Sequence, residues 1–141
     1  MLEAWYVDHL DEPVTVTTPA ELDAVLDAIT AADTRQVVQL IPDGDLTKPD
    51  LTVGLYRDRG TLRYADHIDA YYSTGGTFAL PDGWDELMYY LDTGEQFYPA
   101  NAEIPAPEVR AAAHHFLTHQ QLPGNLTWVT ESGDIHRSPA S

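Results

Sequence analysis

The pattern of apolar and polar residues predicts a strand-rich fold with two helices. Four apolar residues of the first helix share the i, i+3, i+4, i+7 spacing of one helical stripe: Leu22, Val25, Leu26 and Ile29. Thr18 can cap this helix, Pro19 suits its first turn and Glu21 completes a capping box. We therefore expect a helix from Pro19 to about Ala32.

A second helical stripe occurs in the last third of the chain. The helix begins near Pro107 and ends before the Leu122-Pro123-Gly124 turn. Its predicted buried residues are Val109, Ala112, Ala113, Phe116 and Leu117. Strands are predicted over residues 4–8, 13–16, 35–41, 51–56, 61–64, 69–73, 87–91 and 126–129. Because the central strands follow one another through tight turns, the pattern indicates an antiparallel meander.

These elements predict an α+β fold, a mostly antiparallel β-sheet meander with two helices packed on one face. We expect one domain over residues 1–131 and a polar, flexible tail over 132–141. The residues expected to face the helices are Leu51, Val53, Leu55, Leu62, Tyr64, Leu87, Tyr89 and Leu91. Those expected on the opposite face are Tyr56, Arg63, Glu86, Met88 and Tyr90.

The charge of the chain indicates what kind of partner it could bind. The 141 residues include 23 Asp and Glu against 7 Lys and Arg, a formal net charge of −16. No Lys or Arg lies between Arg63 and Arg110, a segment that holds nine carboxylates and many aromatic residues. Such a surface repels nucleic acid and anionic membranes and attracts cationic proteins. Solubility or salt adaptation is the alternative explanation of the acidity.

Other features of the composition exclude some kinds of site and of protein. Cysteine is absent, which excludes disulfides and thiolate metal sites. The amino terminus does not resemble a signal peptide, and no apolar run approaches 18 residues. We therefore expect a cytoplasmic protein without a membrane segment.

Candidate chemistry is sparse. His67 with Asp66 or Asp69 could form an acid and base pair, although no nucleophile or Gly-rich loop lies nearby in the sequence. His115 and His119 are one helical turn apart, but a zinc site would need a third ligand from elsewhere. We expect no cofactor and no metal.

Trp84 stands on a predicted turn beside Asp82, Asp85 and Glu86. A Trp among carboxylates supplies an anchor and an electrostatic complement to an Arg-rich surface. The alternative is a Trp tucked against the sheet with solvated neighbours. The sequence leaves both interpretations open.

The chain resembles the bacterial polymorphic-toxin immunity proteins, specifically the immunity family numbered one. The segment VTVTTPAELDAVLD at positions 14–27 carries the resemblance in the first third. In the last third it is carried by positions 97–100, 104–105, 109–116 and 122–123 and by Trp128. The similarity extends from about Leu2 to Glu131.

The resemblance implies a non-enzymatic inhibitor that binds one cognate toxin, often a nucleic-acid deaminase, as a 1:1 heterodimer. Charge and strand alternation suggest these partner contacts: Asp66, Asp69, Tyr72, Trp84, Asp85, Glu86, Tyr90 and Glu95. A deaminase acting on nucleic acid needs a cationic groove, which such a surface could cover. Two other functions stay open, a small enzyme that uses the His67 pair and a generic acidic DNA mimic or adaptor.

Overall fold

The computed structural model describes residues 1–7, 9–91, 94–124, 126–130 and 135–137. The first half contains β1 (Leu2–Trp5), β2 (Val14–Val16), α1 (Pro19–Ala31), β3 (Gln36–Pro42), β4 (Asp50–Tyr56) and β5 (Arg59–Ala65). The second half contains β6 (Ala70–Ser73), β7 (Leu87–Leu91), β8 (Gly94–Tyr98), β9 (Ile104–Pro105), α2 (Ala106–His119), β10 (Thr127–Thr130) and β11 (Ile135–Arg137).

The strands form one sheet in the order β11-β10-β6-β5-β4-β3-β1-β2. All neighbours along this path are antiparallel. Strands β3 to β6 follow each other as the predicted meander, so the α+β architecture is confirmed. Strand β7 lies off this path and pairs with the first residue of β3, where Tyr90 lies opposite Gln36 in parallel.

Both helices pack on one face of the sheet, as predicted. Helix α1 begins at a complete capping box, in which the Thr18 side chain accepts a hydrogen bond from the Glu21 amide and Glu21 reaches back to the Thr18 amide. The main hydrophobic core lies between the helices and this face. It contains the predicted strand residues Leu51, Val53, Leu55, Leu62 and Tyr64.

The opposite face of the sheet is covered by the β7–β8 hairpin, which encloses a second, smaller core. Its buried residues are Val37, Ala70, Tyr72, Leu87, Tyr89, Tyr98 and Ala102. The expectation that Leu87, Tyr89 and Leu91 face the helices is therefore wrong, because all three pack into or against this second core. Gly54 makes the packing possible, since a Cβ at that position would lie 2.6 Å from the Tyr89 ring.

Several boundaries differ from the sequence prediction. Strand β1 lies earlier than the predicted 4–8 segment, whose last position is outside the described residues. Strands β8 and β9 were not predicted as strands. Within the segment expected to be a tail, β11 pairs with β10, and the rest of 131–141 lies outside the described residues. Neither described helix is long and apolar enough to cross a membrane.

Candidate partner-binding surface

The β7–β8 hairpin has one buried face and one outward face, because its residues alternate across antiparallel pairs. Leu87 pairs with Tyr98 and Tyr89 with Gln96 on the inward side. The outward side carries the pairs Met88 with Phe97 and Tyr90 with Glu95, preceded by Glu86. We call these five outward residues the hairpin face: Glu86, Met88, Tyr90, Glu95 and Phe97. It combines two carboxylates with three large apolar or aromatic side chains and contains no Lys or Arg.

Trp84 lies half-buried at the border of the hairpin face and packs against the second core. The Arg35 guanidinium carbon lies 5.4 Å from the Trp84 ring centroid and 4.4 Å from that of Tyr56. These side chains, with Tyr90, line a cleft of about 530 Å³. Trp84 is therefore partly tucked against the sheet and held by a cation–π contact, and it also borders an open cleft.

A buried polar network fixes the hairpin from below. Arg35 donates from Nε and Nη2 to the two carboxylate oxygens of Glu103, at 3.0 and 3.3 Å. The Tyr89 hydroxyl donates to the same carboxylate at 2.7 Å. Glu103 is only 2% exposed, so this one of the nine carboxylates is structural. Burial, reinforced by the Glu103 charge, raises the pKa of the Tyr89 hydroxyl well above its usual range.

Phe97 is the large aromatic side chain that stands out on the hairpin face. It is 50% exposed and lies between two clefts of about 370 and 260 Å³. Glu86 lines both clefts, and Trp84, Asp85 and Met88 line the smaller one. The partner contacts predicted from the sequence do not include Phe97. Its pairing with Met88 across the hairpin could have been found only if β8 had been recognised as a strand.

The eight expected contact residues lie in three places in the structure. Trp84, Asp85, Glu86, Tyr90 and Glu95 lie together on or beside the hairpin face. Tyr72 is 9% exposed and contributes mainly to the second core, although its edge reaches the larger cleft beside Phe97.

The other two expected contact residues, Asp66 and Asp69, lie on the β5–β6 turn. They follow the far end of β5, about 20 Å along the strand from Arg59, which pairs with the cleft residue Tyr56. The Asp66 carboxylate accepts hydrogen bonds from the Ile68 and Asp69 amides at 2.8 and 2.9 Å. The Asp69 carboxylate accepts one from the Ala70 amide at 2.8 Å. Both carboxylates therefore order the turn.

Catalytic and metal-binding arrangements find little support. His67 is exposed, and the hydrogen bonds of the two neighbouring carboxylates go to the turn backbone. The rings of His115 and His119 are tilted by 40° with centroids 4.5 Å apart, and burial together with His119 lowers the pKa of His115. Within the described part of the chain, no three His, Asp or Glu side chains come together as a metal site would require.

Comparison with known families identifies the kind of protein. A family model described as immunity protein Imm1 matches residues 11–130. The chain belongs to this family. No curated protein matches it. The matched range of the Imm1 family includes both helices, the meander and the whole hairpin.

Membership in the Imm1 family makes this chain an immunity protein against a toxin. Much of the resemblance in the sequence comes from core residues, such as Leu22, Leu26, Val109, Phe116 and Trp128. These residues determine how the helices pack on the sheet. They lie on the helical side of the sheet, away from the hairpin face.

Proposed function

We propose that the chain neutralises one cognate toxin, a nucleic-acid deaminase domain, by covering the toxin's cationic active-site region with the hairpin face and the adjoining Trp84–Glu86 turn. The observation that supports this best is the composition of that surface. Aromatic and apolar side chains lie there among carboxylates, on a hairpin without a basic residue among the outward residues of its strands. This combination suits a partner that is itself basic and partly apolar.

The mechanism is occlusion rather than turnover. A deaminase that acts on DNA or RNA holds its substrate in a positively charged groove beside a zinc-activated water. Carboxylates such as Asp85, Glu86 and Glu95 would take the positions of substrate phosphates, and Trp84 and Tyr90 would supply desolvated contact area. The inhibitor acts in the cytoplasm as one copy per toxin and catalyses no reaction.

The two alternative functions, an enzyme that uses His67 and a generic acidic mimic, would each require a different arrangement of side chains. An enzyme that uses His67 would need one of the neighbouring carboxylates to orient the imidazole, but those carboxylates bind backbone amides. A generic acidic mimic would bind many basic proteins with similar affinity, because charge alone would decide its binding. Apolar groups placed among the charges favour a single shaped partner instead.

The direct test uses the reading frame beside the gene for this chain. We expect it to encode a large secreted protein that ends in a small deaminase-like domain, and co-expression of the chain with that domain should restore bacterial growth. A chain carrying both Asp85→Lys and Glu86→Lys should protect poorly. Asp11→Lys with Glu12→Lys is the matched control, since it makes the same charge change at exposed positions on the β1–β2 loop.

The outcomes separate the candidate functions. Loss of protection with Asp85→Lys and Glu86→Lys, but not with Asp11→Lys and Glu12→Lys, supports the proposal. Equal loss with both pairs would indicate that total charge matters and would favour the generic mimic. If His67→Ala abolishes protection while Asp85→Lys with Glu86→Lys has no effect, the proposal is wrong and the enzyme alternative gains support.

A further inference from the structure

We propose that Phe97 is the anchor of the hairpin face and inserts into an apolar pocket of the toxin whose rim carries Lys or Arg side chains. This inference rests on the proposed function, because it names the chemistry by which the same surface recognises its partner. It adds a residue that is not among the partner contacts predicted from charge and strand alternation.

Exposure is the first argument. Five large hydrophobic side chains are exposed in the described part of the chain, and Phe97 is the one aromatic residue among them. Met1, Leu10, Leu46 and Ile68 lie at the amino terminus or in loops, whereas Phe97 lies within a strand. Aromatic side chains dominate the binding energy of protein interfaces when a partner encloses them. An aromatic ring left half-exposed on a folded strand is therefore a good candidate for such an anchor.

The surroundings of Phe97 have the shape of an anchor site. Phe97 lines both neighbouring clefts, of about 370 and 260 Å³. A partner can therefore enclose the ring on both sides, with its own side chains filling the clefts. Met88, directly opposite on β7, extends the apolar surface at the base of the ring.

The charges around Phe97 define the rim of the matching pocket. Glu86 lines the clefts on both sides of the ring, and Asp85 lines the smaller one. Glu95 lies two residues before Phe97 and so projects from the same face of β8. A pocket bordered by Lys or Arg would pair with these carboxylates while its apolar floor receives the ring. A pocket bordered by acidic groups would be repelled.

Phe97 is also held ready for binding. The next residue, Tyr98, is 3% exposed and packs edge-to-face against Tyr72 and Tyr89, with ring centroids 5.8 Å apart in both pairs. This fixes the strand that presents Phe97. A phenyl side chain has only two rotatable bonds, so little conformational entropy is lost when it is enclosed.

The test measures the affinity of the chain for the toxin domain encoded in the neighbouring frame, with the catalytic glutamate of that domain replaced by alanine. Phe97→Ala should raise the Kd by about 30-fold or more, as expected for a central anchor. Phe97→Tyr, which keeps the ring, should bind within about 5-fold of the parent chain. A urea unfolding midpoint close to that of the parent will show that Phe97→Ala still folds.

Matched controls remove an exposed apolar side chain elsewhere. Ile68 is 90% exposed beside Asp66 and Asp69, and Leu46 is 78% exposed on another loop. Ile68→Ala and Leu46→Ala should each change the Kd by less than about 5-fold. A larger loss for Ile68→Ala than for Phe97→Ala would place the contact at the β5–β6 turn and overturn the inference.

Other outcomes distinguish this inference from the function on which it rests. If Asp85→Lys with Glu86→Lys weakens binding but Phe97→Ala does not, the acidic surface stands and the anchor is wrong. If neither change weakens binding, the proposed surface fails as well. A free chain that sediments as a dimer and becomes monomeric on Phe97→Ala would show that Phe97 binds a second copy of this chain, which also overturns the proposal.

Discussion

The hydroxyl of Tyr89 donates a 2.7 Å hydrogen bond to the carboxylate of Glu103 in the interior beneath the hairpin. The Arg35 guanidinium donates two hydrogen bonds to the same carboxylate. Tyr89 lies on β7, Arg35 directly precedes β3 and Glu103 directly precedes β9, so the network joins three segments that are distant in the sequence. It holds the hairpin in place and thereby fixes the orientation of the surface above it.

Removal of the shared carboxylate should strongly destabilise the fold. Glu103→Ala leaves Arg35 as an unpaired and largely buried charge and leaves the Tyr89 hydroxyl without its acceptor. We expect the free energy of unfolding to fall by about 3–5 kcal/mol, measured by urea denaturation. Glu95→Ala on the exposed side of β8 is the control and should change it by less than about 0.5 kcal/mol. Similar values for the two variants would contradict a structural role for Glu103.

Alkaline pH should destabilise the protein through Tyr89. A tyrosine in the unfolded chain titrates near pH 10, and burial raises the pKa of Tyr89 above that value in the folded state. The folded state therefore keeps a proton that the unfolded state has lost. The stability from this group is complete below about pH 10 and declines as the pH rises further, by about 1.4 kcal/mol per pH unit.

Replacement of the hydroxyl provides the measurement for this effect. Urea unfolding between pH 10 and 11 should show a smaller loss of stability per pH unit for Tyr89→Phe than for the parent chain. Some loss should persist, because burial also raises the pKa of Tyr98. Identical pH slopes for Tyr89→Phe and the parent would show that Tyr89 does not cause the effect.

Gly54 should tolerate no side chain, because it provides the space in which the Tyr89 ring contacts the sheet. An added Cβ would lie 2.6 Å from both the Tyr89 ring and the Thr61 hydroxyl oxygen. Gly54→Ala should lower the free energy of unfolding by about 1–3 kcal/mol, as other overpacked interiors do. It should also weaken toxin binding through displacement of the hairpin.

Gly83→Ala is a useful comparison, since its added Cβ meets no atom within 4 Å, although its positive φ carries a backbone cost. Normal stability and binding of Gly54→Ala would show that the hairpin does not depend on this contact.

Much of the fold could be predicted from the sequence because local signals were strong. The stripe of Leu22 and Ile29 with the Thr18 cap determined α1, and the alternation of Leu51, Val53 and Leu55 determined the helix-facing side of β4. For these residues the local sequence pattern predicts the same element and the same buried side that the fold shows.

The position of the hairpin could not be predicted in this way. The alternation in β7 shows that Leu87 and Tyr89 share a face, but it does not show which side of the sheet that face meets. The deciding features are long-range: the space left by Gly54 and the pairing of Arg35 with Glu103. Glu103 is one of nine carboxylates between Arg63 and Arg110, and nothing in its neighbourhood in the sequence reveals a partner 68 positions away.

A change in helix capping should separate stability from binding. The Thr18 hydroxyl accepts a hydrogen bond from the Glu21 amide at the start of α1, and this site lies on the side of the sheet away from the hairpin face. Thr18→Ala should lower the free energy of unfolding by about 1 kcal/mol. Toxin affinity, measured well below the unfolding temperature, should stay unchanged. A parallel loss of affinity would indicate that the toxin also contacts the helical side.

The salt dependence of toxin binding should reveal how the acidity is used. The formal net charge of −16 and the carboxylates around the hairpin face should attract a basic toxin before contact. The association rate should therefore fall steeply as sodium chloride rises from about 0.01 to 1 M, because the Debye length shrinks from about 30 to 3 Å over that range. Dissociation should change much less, since it depends on enclosed contacts such as that proposed for Phe97. Stopped-flow measurements at several salt concentrations provide both rates. Asp85→Lys with Glu86→Lys should flatten the salt dependence more than Asp11→Lys with Glu12→Lys. An association rate independent of salt would show that the charge serves solubility alone.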